Sequence, residues 1–213
     1  ARLAESIKTF SKDAHCVTLH AILDDERKIA HFQKRYQLAG QAFQFISFED
    51  VLRKYANTSM EELMAIRHPH SGKIERYGSI WCWNSDARVT GALKKLYGAR
   101  DLHERGFTHA WVMDAESVAL REFSFEAMFT EYAEHPRLLR TNMSSRLVSW
   151  SGPTVVANLI CMARALNVSD SQGLMSYHAT DYWFYVLSNV AAMMQLVQRT
   201  WQGRSFASVY ARY

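Results

Sequence analysis

Proline is scarce in this chain, 3 in 213 residues, and glycine is modest at 9. So few turn-formers argue against a turn-dense all-β design and for long regular elements, with helices in the outer layers. No apolar run reaches the roughly 18 residues that a membrane-spanning helix needs. The opening Ala1-Arg2-Leu3-Ala4-Glu5-Ser6 lacks the basic start and apolar middle of a signal peptide. No block of consecutive Lys or Arg concentrates the formal net charge of +4. An anionic ligand would suit that charge, but an extended nucleic-acid surface is not expected. Cysteines are few: Cys16, Cys82 and Cys161 are odd in number and lack the paired spacing of zinc ligands. They read as reduced thiols, which favours a cytoplasmic setting.

What is present describes a chain that folds. Hydrophobic residues make up 48% and charged residues 22%, close to the averages of globular proteins, which excludes disorder and fibrous repeats. The length suits one α/β domain over residues 1–213, and a start at Ala1 rather than Met is compatible with a piece of a longer chain.

Periodicity predicts the elements. Cys16 to Leu23 is a nearly continuous apolar run, expected as a strand covered on both faces, and Asp24 and Asp25 stop it and cap a helix from Glu26 to Tyr36. A strand at Phe43 to Ile46 follows, and Ser47 with Asp50 three residues on begins a helix towards Tyr55. From Asn57 to Trp83 the pattern is irregular, with His68 to Gly72 as the clearest loop. Asn84 or Ser85 caps a long helix through Arg105, ended by Gly106, and the apolar strand Ala110-Trp111-Val112-Met113 comes next. Ser124 to His135 is expected as a helix, Leu138 to Thr141 as a strand, and Trp150 to Gly152 as a turn before a helix carrying Val155, Leu159, Met162 and Leu166. Ser169 to Ser176 reads as polar loop, and the segment from Asp181 as aromatic and then helical until Gly203. The order predicts an α/β fold with a mostly parallel central sheet and helices on both faces.

The sharpest chemical feature lies where the strand ending at Met113 runs into Asp114-Ala115-Glu116. In an open parallel sheet, ligands bind beyond the carboxyl ends of the strands. Side chains at i and i+2 of an extended segment point the same way, so both acids can reach one hard cation, Mg²⁺ or Mn²⁺. Such an ion offsets charge developing on a leaving nucleoside diphosphate. The plainer alternative is that Asp114 begins a turn and Glu116 caps the next segment.

The stretch ALKKLYGARDLHERGFTHAWVMDAESVALREFSF resembles the core of GT-A glycosyltransferases, in which a helix leads into an apolar strand and a DxD-type motif. The resemblance implies a GT-A fold and transfer of a hexosyl or pentosyl unit from a UDP- or GDP-sugar to a hydroxyl of a glycan acceptor. It places the metal and donor on Asp114 and Glu116, and the diphosphate on Lys94 or Lys95 of the preceding helix, with Lys95 favoured. The second acid is Glu where that family more often has Asp. Residues 1–13 do not read as the strand with which that fold opens.

Late in the chain stands Ser176-Tyr177-His178-Ala179-Thr180-Asp181-Tyr182-Trp183. By the same resemblance His178 completes the metal shell or touches substrate, and Asp181 is the general base that takes the proton of the acceptor hydroxyl. The alternative for Asp181 is the N-cap of the final helix, and for His178 an ordinary loop histidine. Trp150 and Trp183 offer ring faces to a sugar, although aromatics in a run also pack cores. His15, His20, His31, His103, His109 and His135 lack ligand spacing and read as structural or surface residues. Two other functions remain open: a nucleotidyltransferase acting on sugar phosphates, for which no Gly-rich phosphate loop is visible, and a non-catalytic carbohydrate-binding module.

Overall fold

The computed structural model describes residues 2–35, 43–66, 75–77, 80–82, 86–113, 117–135, 140–142, 175–177 and 182–212. The fold is mixed α/β. Helix α1 (Arg2–Phe10) leads through a 3-10 turn (Ala14–Cys16) to strand β1 (Leu19–Leu23), helix α2 (Glu26–Arg35) and strand β2 (Phe43–Ser47). β1 and β2 pair in parallel from Leu19 opposite Phe43 to Leu23 opposite Ser47, so β1-α2-β2 is a crossover unit. The expected strand from Cys16 is shorter than its apolar run, because Cys16 is still in the 3-10 turn.

Helices α3 (Phe48–Ala56) and α4 (Met60–Ile66) precede a short hairpin of β3 (Glu75–Tyr77) and β4 (Ile80–Cys82). The long helix α5 (Asp86–Glu104), strand β5 (His109–Met113) and helix α6 (Phe125–Glu134) follow. Then come β6 (Arg140–Asn142), β7 (Met175–Tyr177), β8 (Tyr182–Val186), α7 (Leu187–Thr200) and α8 (Phe206–Arg212).

The expected mostly parallel central sheet gives way to something smaller. Among the described residues the strands form two-stranded sheets, of which β1-β2 is parallel while β3-β4, β5-β8 and β6-β7 are antiparallel. The physical reason is that an apolar run reports a covered strand but not the direction of its neighbour. β5 takes its partner from β8, late in the chain, and β8 runs directly into α7.

Two apolar layers lie on the two faces of the β5-β8 ladder. On one side Ala110 and Tyr185 pack against the main core, where Phe48, Leu52, Leu63, Leu93, Tyr97 and Leu187 are almost fully buried between α3, α4, α5, α7 and α8. On the other, Trp111 stacks on its cross-strand partner Phe184 at 5.6 Å, and Phe123, Phe125, Phe129 and Tyr132 close around the pair. Alternate residues of a strand face opposite ways, so this division follows from the two-residue period. Aromatic pairs of this kind contribute about 0.5–1.5 kcal/mol each beyond their burial.

Helix ends are satisfied locally and at a distance. Ser47 Oγ accepts from Asp50 N–H at 3.2 Å at the start of α3, as the Ser47–Asp50 spacing predicts. Asp13 does the remote equivalent for α6. Its carboxylate accepts from Phe125 N–H at 2.9 Å, Glu126 N–H at 2.8 Å and the Ser124 hydroxyl at 2.9 Å, while Ser11 Oγ donates to it at 2.8 Å. Among the described residues no helix is long and apolar enough to cross a membrane.

Candidate functional site

The site grows from the carboxyl end of β1. Asp24 and Asp25 follow Leu23 directly, and the two acids divide the work. Asp25 Oδ1 accepts from Lys28 N–H at 2.9 Å and so caps α2, as expected of an acid before a helix. The Asp24 carbonyl accepts from Glu49 N–H at 3.0 Å, which ties this end of β1 to the start of α3. The Asp24 side chain turns to two ammonium groups: Oδ1 pairs with Lys94 of α5, and Oδ2 pairs with Lys28 one turn along α2.

Lys94 is therefore anchored at the carboxyl end of β1. Its side chain is only 25% exposed, and burial pushes its pKa down. A half-buried ammonium is screened less by water than one on an open helix face, so it acts more strongly on a nearby anion. Lys95 is half-buried as well.

α5 packs against β5 as well as β1. After α5 the chain reverses at Gly106, whose φ of 90° suits glycine, and Phe107 N–H donates back to Leu102 at 3.1 Å. At the other end of β1, His20 lies edge-on to Phe107, just before β5. Gly98, one turn below Lys94, sits against Ile22 of β1, and the absent side chain lets helix and strand approach this closely.

β8 pairs with β5 up to its carboxyl end. Met113 pairs with Tyr182, Val112 with Trp183 and Trp111 with Phe184. Asp114 follows Met113 in the chain, and Asp181 precedes Tyr182. Asp114, Glu116, Trp150, His178 and Asp181 lie outside the described residues. For Trp183 the structure gives the strand position. Among the described residues no three His, Cys, Asp or Glu side chains gather as a metal site.

The structure bears on the plainer reading of one acid. The cap position of α7 is Val186, with the whole of β8 between it and Asp181, so Asp181 is not the N-cap of that helix.

Asp24 and Lys28 are the members of this end that sequence reasoning missed. Asp24 was legible as an acid beyond a buried strand, a position where ligands bind, but its neighbour Asp25 accounts for the capping and masked the difference. Lys28 lies four residues from Asp24 and reads as an ordinary surface lysine. In comparisons with family models, curated proteins and solved structures, none matches this chain.

Proposed function

We propose that this chain is a metal-dependent glycosyltransferase of GT-A type. It moves a sugar from a UDP- or GDP-sugar to a hydroxyl of a glycan acceptor. What supports the reading is Lys94: an ammonium, half-buried and held by Asp24 beyond the carboxyl end of β1, on the helix that leads in the chain to β5 and then to Asp114-Ala115-Glu116. A lysine at one strand end and a pair of carboxylates following another strand suit a ligand that carries both phosphates and a cation.

In this reading Asp114 and Glu116 hold Mn²⁺ or Mg²⁺, with His178 as a further ligand or substrate contact. The cation bound there would offset the charge of the departing nucleoside diphosphate. Lys94 adds its own charge to the phosphates, and Lys95 lies beside it on α5. Where configuration inverts, Asp181 takes the proton of the acceptor hydroxyl as its oxygen bonds to the anomeric carbon and the bond to the diphosphate oxygen breaks. Trp150 and Trp183 offer faces to the acceptor ring.

The test is a thermal titration with Mn²⁺ and a panel of UDP- and GDP-sugars, followed by an assay of donor hydrolysis. A donor at 100 times its Kd adds about 2.7 kcal/mol of stability, and the shift should require the metal. Lys94→Ala should weaken the donor about tenfold, the loss of one charge-assisted hydrogen bond. No metal-dependent shift with any nucleotide sugar sinks the reading. Release of pyrophosphate from a nucleoside triphosphate would make the protein a nucleotidyltransferase, and glycan binding without nucleotide would make it a binding module.

A further inference from the structure

Lys28 and Lys94 come from different helices, α2 and α5, and reach the two oxygens of one carboxylate. One Asp between two Lys leaves the trio with one net positive charge. Each ammonium has three N–H donors, and the contact with Asp24 uses one of them, so both lysines retain donors for a second acceptor. The nearby Glu49 does not compete, because Oε1 takes Arg53 at 3.0 Å and Oε2 accepts from Met60 N–H at 2.9 Å. Asp25 is spent on capping α2. Among the described residues, Asp24 is thus the carboxylate that holds both ammonium groups, beyond the carboxyl end of a strand of the parallel pair.

We infer that Lys28 and Lys94 form a two-lysine receptor for a polyphosphate anion, in which the Asp24 carboxylate is the stand-in that the anion partly displaces. The transferase reading supplies the identity of that anion, a nucleoside diphosphate, and the inference rests on it to that extent. The new elements are Lys28 as the second phosphate contact and Asp24 as an internal competitor. A carboxylate and a phosphate oxygen present the same acceptor chemistry to an ammonium, so a site that binds one exchanges it for the other. Two cations joined across a carboxylate suit two linked phosphates better than one, because each phosphate can meet its own lysine.

The probe is inorganic pyrophosphate without metal, titrated calorimetrically into the 213-residue chain at low salt, with orthophosphate as the single-phosphate comparison. Pyrophosphate should bind more tightly than orthophosphate. Lys28→Ala and Lys94→Ala should each weaken it about tenfold, and Lys28→Arg should retain it. Asp24→Asn should tighten it several-fold, since the competitor loses its charge. Lys28 is exposed, so its variants keep the fold and carry the test even where Asp24→Asn lowers stability. Affinity unchanged in Lys28→Ala, or equal or weaker in Asp24→Asn with an intact melting transition, overturns the inference. Lysine-dependent pyrophosphate binding without turnover of any sugar nucleotide would sink the transferase reading and leave the receptor standing. Turnover of a donor indifferent to Lys28→Ala would do the reverse.

Discussion

Gly98 of α5 and Ile22 of β1 are in such close contact that a methyl group on Gly98 would stand 2.0 Å from Ile22 Cδ1. The Ile22 side chain therefore lies against the helix at Gly98, one turn from Lys94. Gly98→Ala gains about 1 kcal/mol of helix propensity, but forcing a methyl into a filled space costs about 1–3 kcal/mol. A net loss of about 1 kcal/mol is expected in urea unfolding. Ile22→Val removes the Cδ1 atom in question, and in that background Gly98→Ala should become neutral or stabilising. Costs that simply add in the double variant would show that the contact is not the constraint.

Tyr97 is 1% exposed, and its hydroxyl accepts from Ala207 N–H at 3.0 Å, satisfying a donor in the first turn of α8. Tyr97→Phe leaves that N–H without its partner and should cost about 1–2 kcal/mol. Burial pushes the Tyr97 pKa up to about 12 against the pull of the Ala207 hydrogen bond. A phenol whose folded pKa is raised stays neutral in the native state, so stability is lost as pH climbs above about 10, the unfolded value. Tyr185, also raised to about 12 by burial and then by Tyr210, adds to the same alkaline limb. Melting curves from pH 8 to 11 should show a shallower alkaline fall in Tyr97→Phe than in the parent; identical slopes would contradict it.

Asp13 links the N-terminal segment to α6, and its replacement separates charge from shape. Burial raises its pKa, but the N–H groups of Glu126 and Phe125 and the hydroxyls of Ser11 and Ser124 outweigh burial and hold it well below the ordinary carboxylate value. Its stabilising contribution is present above the unfolded pKa of about 3.9 and lost as pH falls through the acid range. Asp13→Ala should cost about 1–2 kcal/mol at neutral pH, and Asp13→Asn less. An Asp13→Ala protein with unchanged stability at pH 7 would mean that Ser124 alone caps α6.

His20 of β1 has both ring nitrogens buried and without a hydrogen-bond partner among the described residues, with its ring edge-on to Phe107 at 5.4 Å. Burial pushes its pKa down, Arg105 adds to this, and Asp101 opposes it. The native state therefore keeps the ring neutral while the unfolded chain takes up a proton near pH 6.5, so stability falls as pH drops below about 6.5. His20→Phe should flatten the stability profile between pH 5 and 7. A profile as steep as the parent's would assign the acid limb to other groups.

Where a signal lies within one or two turns of chain, the elements were legible. The Ser47–Asp50 cap, the helix beginning near Ser124, the run of α5 to Gly106 and the strand ending at Met113 all follow from neighbouring residues. Helix α4 was legible too but passed over. Ser59 Oγ accepts from Glu62 N–H at 3.1 Å and Glu62 accepts from Ser59 N–H at 2.8 Å, a reciprocal capping box hidden in a stretch whose apolar pattern looks irregular. β7 was not legible: Met175–Tyr177 overlaps a segment that reads as polar loop and becomes a strand by pairing with β6. The expected helix at Val155 to Leu166 and the acids Asp114 and Glu116 fall outside the described residues.

By itself the sequence determined several of the stretches that become helix or strand, among them α2, α3, α5 and β5, because propensity, capping and apolar period act between residues a few positions apart. Tertiary structure alone decided that β8 runs antiparallel to β5, that Asp13 caps a helix more than a hundred residues away, and that Lys94 meets Asp24. Those outcomes depend on which surfaces come into contact when helices settle on strands. A contact as specific as Gly98 on Ile22 is set by the shape of the packed core, which no local pattern of residues encodes.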